Sequence, residues 1–147
     1  MYAPENPYLE VYIQAHINRM EELRLKEQRI HNILLTLRTV ESGNNYAALG
    51  GSGEYGAYQY TPSTWKYYCM MFFGEYLDIK VPENQDKVSA AKVQLLIDKG
   101  YTDQQIAAVW NCGRPDDWEG RIGINSHGVP YNVPRYVQKF MSTMEAT

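Results

Sequence analysis

Glu41 is the residue of this chain that is best placed for acid–base chemistry. It follows Leu34 by seven residues and Leu37 by four, so a helix through all three would project its carboxyl from the same face as two apolar side chains. Partial removal from water disfavours the charged form and raises the pKa of a carboxyl, which lets it act as a general acid. A solvated glutamate at a helix C-terminus is the competing interpretation, although negative charge is unfavourable at that end of the helix dipole.

Four short motifs resemble those of one enzyme family. The run Glu41-Ser42-Gly43, followed fifteen residues after Glu41 by Gly56-Ala57-Tyr58-Gln59, resembles the glutamate–serine and glycine-x-x-glutamine motifs of soluble lytic transglycosylases and related lysozyme-like domains. Residues 60–65 are similar to resuscitation-promoting-factor-like and phage-type members, residues 107–113 resemble the family's alanine–tyrosine–asparagine block, and residues 133–137 resemble its closing tyrosine motif. The order and spacing of the motifs make the joint signal much stronger than any single one.

The resemblance implies that Glu41 is the catalytic acid/base of a peptidoglycan-cleaving enzyme. It assigns substrate binding to Ser42, Tyr58, Gln59, Trp110, Asn111 and Tyr136. Trp110 stands where the family more often has tyrosine, and Tyr58 where methionine is common, so we expect remodelled cleft walls. A helix C-cap at Asn111 and a core position for Tyr136 are the competing interpretations.

A second carboxylate is the feature that would separate two mechanisms. Ordinary glycosidases use one as nucleophile or base, and Glu54, thirteen residues after Glu41, is better placed than Asp116, Asp117 or Glu119. A loop carboxylate beside glycine is usually just solvated. The transglycosylases that the chain resembles need none, because the substrate's acetamido group and 6-hydroxyl convert the cleaved MurNAc–GlcNAc β-1,4 bond into a 1,6-anhydromuramoyl end. A hydrolytic lysozyme using Glu54 and a non-catalytic virion or wall-binding module remain alternatives.

The elements that would hold these residues are mostly helical. Apolar residues recur at three- and four-residue steps from Leu9 to Val40, which predicts one or two helices. The glycines of residues 42–60 favour turns or a small β-hairpin. Further helices are predicted to begin at Pro62, Pro82, Thr102 and Pro134, with a loop over residues 112–133. We therefore expect a predominantly helical α+β, lysozyme-like fold with a hairpin insert after the catalytic helix, preceded by an N-terminal helical extension over residues 1–29 and occupying residues 30–147.

Composition limits the partners of the chain. The sequence has 147 residues, 44% of them hydrophobic, a formal charge of −3 and a pI near 5.6; this allows one core and argues against nucleic acid as a partner. The sequence contains no membrane span and no secretory signal, so we expect a phage-encoded, virion-associated protein acting on peptidoglycan, with virion or tail proteins as partners, or a domain of a larger exported protein.

No cofactor or metal is expected, because the three histidines lack ligand spacing. Cys69 and Cys112 are free thiols or a single bridge.

Overall fold

The computed structural model describes residues 6–147, which form five helices and one two-stranded antiparallel sheet. The predominantly helical α+β prediction is thereby confirmed. No helix within this part of the chain combines the length and apolar character needed to cross a membrane. In chain order the elements are α1 (Leu9–Ser42), α2 (Pro62–Phe73), α3 (Pro82–Asp98), α4 (Asp103–Cys112), β1 (Ile122–Ile124), β2 (Pro130–Asn132) and α5 (Val133–Glu145).

Helix α1 is a single helix of 34 residues, so the boundary predicted between residues 29 and 30 lies inside it. What changes near that point is burial. Residues 6–25 are exposed, whereas Ile33 and Leu37 are fully buried in the core. The helix ends at Gly43, whose φ of 66° is left-handed and whose N–H donates to the carbonyl of Thr39, as is usual for a glycine C-cap. The first part of the predicted extension, residues 1–5, lies outside the described residues.

Of the turns or small hairpin predicted for residues 42–60, the turns are confirmed and the hairpin was wrong. Residues 43–61 form turns with two isolated β-bridges and no strand, since glycine weakens strand pairing. The sheet lies instead in the predicted loop, where Ile122 pairs with Asn132 and Ile124 with Pro130. Its turn is built by the Asn125 side chain, whose oxygen accepts from two backbone N–H groups at 2.9 and 3.0 Å, a local signal that can replace the usual two-residue turn.

The predicted helix starts are confirmed. Pro62 and Pro82 are the first residues of α2 and α3, and Pro134 lies in the first turn of α5. The capping box of α4 is formed, since the Thr102 hydroxyl accepts from the N–H of Gln105 at 3.2 Å and the Gln105 side chain accepts in return from the N–H of Thr102 at 3.0 Å. These local signals fix where each helix begins and thereby how its side chains face the core.

The core lies where α1, α3, α4 and α5 meet, with α2 packed against α3. Its largest fully buried side chains include Trp65, Tyr58, Phe140, Ile33, Leu37 and Ile106. Cys69 is buried and Cys112 half-buried, and both are free thiols. The core therefore forms without a covalent cross-link between the two cysteines.

Gln85 of α3 joins residues 43–61, the turn-rich segment, to the helical body. Its side chain is 1% exposed. Its oxygen accepts from the N–H of Ala57 at 2.8 Å, and its amide group donates to the carbonyls of Tyr46 and Ile79 at 2.9 and 2.7 Å. Gly56 leaves room for this amide, since a Cβ there would lie 2.5 Å from the Gln85 oxygen.

Replacing Gln85 with methionine should destabilise the fold by about 3 kcal/mol, because three buried backbone groups lose their partner. Urea denaturation measures the change in the free energy of unfolding. Gln94→Met is the matched control on the same helix, since the Gln94 amide bonds only to the exposed carboxylate of Asp98 and should contribute less than about 0.5 kcal/mol. Equal losses in the two variants would show that Gln85 does not anchor the segment.

Candidate active site

A cavity of about 480 Å³ opens between the end of α1, the turn-rich segment and helices α3 and α4. Its wall brings together residues that are up to seventy positions apart in the sequence. Six of the residues singled out from the sequence contribute to it: Glu41, Glu54, Tyr58, Gln59, Trp110 and Asn111. The arrangement has the form of a cleft with a carboxyl group at one side, amide groups at others and an aromatic back wall.

Glu41 lies in the last turn of α1 and is half-buried. One of its carboxylate oxygens accepts a hydrogen bond of 2.8 Å from the hydroxyl of Tyr136 on α5. Burial raises the pKa of Glu41; the Tyr136 hydrogen bond opposes that rise, and the negative charge of Glu54 adds to it. A carboxyl in this setting can exchange a proton close to neutral pH more readily than a solvated one can.

Neither Tyr136 nor Ser42 lines the cavity, but both form hydrogen bonds with the last turns of α1, which carry Glu41. Tyr136 is half-buried and does not line the cavity, but its hydroxyl fixes the carboxyl. The Ser42 hydroxyl lies 2.8 Å from the carbonyl of Ala57 and 3.1 Å from that of Arg38, and it accepts from the N–H of Asn45. Ser42 thus joins the end of α1 to the turn-rich segment, and its assignment to substrate binding stays a prediction.

Gln59 is held in a left-handed backbone conformation with φ of 54°. Its amide nitrogen donates to the carbonyls of Gly56 and Ala48 at 2.9 and 3.2 Å, which leaves its oxygen to face the cavity. Gly50 lies against this group, because a Cβ there would be 2.5 Å from the Gln59 oxygen and 2.2 Å from a Glu54 oxygen. The close approach requires glycine at position 50.

Glu54 faces the same cavity as Glu41. One of its oxygens accepts from the N–H of Ser52 at 2.9 Å, which leaves the other free to accept. The negative charge of Glu54 raises the pKa of Glu41. Glu54 is therefore a loop carboxylate that acts on Glu41.

Asn111 and Trp110 come from the last turn of α4. The helix cap is Gly113, with φ of 79°, so capping does not account for Asn111, which is exposed at the cavity. The Trp110 ring is half-buried and lies 6.1 and 5.9 Å from the rings of Tyr58 and Tyr60. Trp110, backed by these two tilted and buried rings, gives the cavity an apolar wall, a surface to which the faces of sugars can pack.

Tyr58 stands mostly behind this wall. Its side chain is 1% exposed, and its hydroxyl donates to Asp86 at 2.6 Å while accepting from Arg38 at 3.0 Å. Burial and the neighbouring carboxylate raise the pKa of Tyr58 far above its usual range. Its hydroxyl is thus committed within the protein, and a direct contact with substrate stays a prediction.

Lys92 is the site residue that the sequence analysis missed. It lies on α3, is 6% exposed and lines the same cavity as Glu41. Burial lowers the pKa of Lys92 to about 8, and the charge of Glu41 opposes this. The sequence did indicate that Lys92 is buried, because it follows Val88 by four residues and precedes Leu96 by four, which places it on the buried face of the helix.

Comparison with models of known protein families finds no match to this chain, and comparison with curated proteins finds none either. Within residues 6–147, no group of three or more His, Cys, Asp or Glu side chains is arranged to hold a metal ion. The functional argument therefore depends on the cavity and its side chains.

Glu41→Gln should stabilise the fold at neutral pH by about 0.5–2 kcal/mol, the gain that a single stabilising substitution commonly gives. Burial holds the pKa of Glu41 above its ordinary 4.5, so its ionisation opposes folding fully above the raised pKa and not at all below 4.5. Urea denaturation at pH 4 and pH 8 should show the gain only at pH 8. Glu27→Gln, at an exposed position of α1, is the control; an equal gain there would contradict the argument.

Proposed function

We propose that this chain cleaves the glycan strands of peptidoglycan, with Glu41 as the acid and then the base. The observation that carries the proposal is the half-buried Glu41 carboxyl, held by Tyr136 at the wall of a cavity that Gln59 and Asn111 also line. Amide groups are suited to hydrogen bonding with sugar hydroxyl and acetamido groups. The proposal includes a lysozyme-like fold for residues 30–147.

The reaction that fits one acid/base group is a lytic transglycosylation. Protonated Glu41 gives its proton to the oxygen of the MurNAc–GlcNAc bond as the bond between that oxygen and C1 breaks. The oxygen of the substrate's acetamido group bonds to C1 and stabilises the positive charge. Ionised Glu41 then removes the proton of the 6-hydroxyl, whose oxygen bonds to C1 as the acetamido oxygen leaves. The products are a 1,6-anhydromuramoyl end and a free 4-hydroxyl, and no water is consumed.

A second candidate, a hydrolytic lysozyme, is favoured by the position of Glu54. Its carboxylate lines the cavity with Glu41 and would serve as the second carboxylate that hydrolysis by glycosidases requires. In that reaction water adds across the broken bond, so the new end is a reducing sugar. The two candidates therefore differ by one water in the mass of the product.

Digestion of purified peptidoglycan, followed by mass spectrometry of the released fragments, tests the proposal. The wild-type chain should release fragments with anhydro ends, and Glu41→Gln should lose about 10²–10⁴-fold in rate, the usual contribution of a general acid. Glu54→Gln should keep most of the activity, with the same products. Glu27→Gln is the matched control on α1 and should match the wild type.

Three results would contradict this assignment in different ways. Reducing ends in place of anhydro ends, together with an inactive Glu54→Gln, would support the hydrolase. Equal rates for Glu41→Gln and wild type would exclude Glu41 as the acid. Binding of peptidoglycan without cleavage by the wild-type chain would support a non-catalytic wall-binding module.

Tyr136→Phe should move the alkaline limb of the pH profile of kcat/KM to higher pH. The Tyr136 hydroxyl stabilises ionised Glu41, so its removal raises the pKa of Glu41, and the acid keeps its proton to higher pH. Initial rates of glycan cleavage between pH 4 and 9 measure the shift. Tyr131→Phe, at an exposed position of β2, is the control, and a lower rate with an unmoved limb would mean that Tyr136 has only a structural role.

A further inference from the structure

Lys92 places a cation among aromatic rings at the wall of the cavity. Its ammonium nitrogen lies 4.1 Å from the ring centroid of Trp110, 4.4 Å from that of Tyr68 and 6.0 Å from that of Tyr60. Such contacts attract a cation to the ring face and favour one position of the side chain. The lysine is thus held in place by rings from three different elements of the chain.

The ammonium group lacks an oxygen partner in the protein. Across the described part of the chain, no hydrogen bond joins Lys92 to an acceptor, and no carboxylate oxygen lies within 4.0 Å of its nitrogen. An ammonium has three N–H donors, and aromatic rings do not replace the acceptors that water supplied before burial. Although Lys92 as a whole is 6% exposed, its ammonium nitrogen is not one of the fully buried side-chain atoms that lack a partner, so it still reaches the space of the cavity. Its position at the cavity wall leaves space for an acceptor from outside the protein.

Glu41 does not neutralise this cation directly. The two groups influence each other's pKa across the cavity, but they form no ion pair within 4.0 Å. With a pKa of about 8, Lys92 keeps most of its positive charge at neutral pH. The cavity therefore offers a proton donor and a separate, fixed positive charge.

We propose that the Lys92 ammonium binds the lactyl carboxyl group of the substrate's muramoyl residue and so selects muramoyl sugars over N-acetylglucosamine. This inference rests on the proposed function. The muramoyl ring is the one whose C1 is attacked beside Glu41, and its lactyl group is the part that N-acetylglucosamine lacks. In both forms of the substrate the lactyl group offers an acceptor oxygen to Lys92. It is a carboxylate oxygen on glycan from which the peptide has been removed, and an amide carbonyl oxygen where a stem peptide is attached.

Equilibrium binding to catalytically inactive chains tests this role without cleavage. The dissociation constants of Glu41→Gln and of Glu41→Gln with Lys92→Met are compared for three glycans: peptide-free muramoyl oligosaccharides, the same oligosaccharides with stem peptides, and chito-oligosaccharides. Methionine keeps an unbranched apolar stem, one atom shorter than that of lysine, and removes the charge and the donors. Isothermal titration calorimetry provides the constants.

Lys92→Met should weaken binding of the peptide-free muramoyl glycan by about 10- to 100-fold, the value of a hydrogen bond to a charged partner. The peptide-bearing glycan should lose less, because its acceptor is uncharged, and chito-oligosaccharide binding should change less than about threefold. Unchanged chito-oligosaccharide binding also shows that the variant is folded. Lys87→Met is the matched control, since Lys87 lies on the same helix and over the ring of Phe73 at 4.6 Å, but is exposed.

Two results would overturn the inference. Unchanged affinity for the muramoyl glycans would show that Lys92 does not contact the lactyl group. Equal losses for muramoyl and chito-oligosaccharides would show that Lys92 supports the cavity without selecting the sugar. Either result in a chain whose wild type cleaves peptidoglycan refutes this inference alone, whereas absence of both cleavage and glycan binding refutes the proposed function as well.

Discussion

The position of Glu41 depends on a network that clamps the last turns of α1. Arg38, one turn before Glu41, donates to the hydroxyl of Tyr58 and lies 3.6 Å from a carboxylate oxygen of Asp86. The hydroxyl of Tyr46 donates to the same carboxylate at 2.8 Å. These contacts tie the end of α1, the turn-rich segment and α3 together. A carboxyl can stay half-buried at a helix end only where the backbone around it is fixed in this way, because hydration would otherwise pull it outward.

The charged groups that face the cavity come from the segments that this hydrogen-bond network joins. Two carboxylates and one lysine face a space backed by aromatic rings, and the low polarity of that wall strengthens their mutual influence. Burial and the charge of Glu54 favour the protonated form of Glu41, whereas the Tyr136 hydrogen bond and the charges of Lys139 and Lys92 favour its ionised form. A group under such opposing influences is suited to both giving and taking a proton, which one acid/base residue must do in turn.

Local signals in the sequence were enough to predict most helices and part of the site. Proline and threonine marked the helix starts, and the spacing of Glu41 from two leucines predicted its partial burial. The place of the regular hairpin was missed because its local signal is the single turn-building residue Asn125 and not strand periodicity. Spacing within α3 indicates that Lys92 is buried, but the cavity that it lines and the contacts of Ser42 depend on segments that are distant in the sequence.

The continuity of α1 gives the molecule a mechanical property. Leu9 and Glu41 belong to one unbroken helix, and 32 residue steps at 1.5 Å each place them about 48 Å apart. The outer half carries exposed apolar side chains such as Tyr12 and Ile17, while the inner half carries the carboxyl. Any surface that binds the outer half would therefore set the orientation of the cavity, since a straight helix transmits orientation along its whole length.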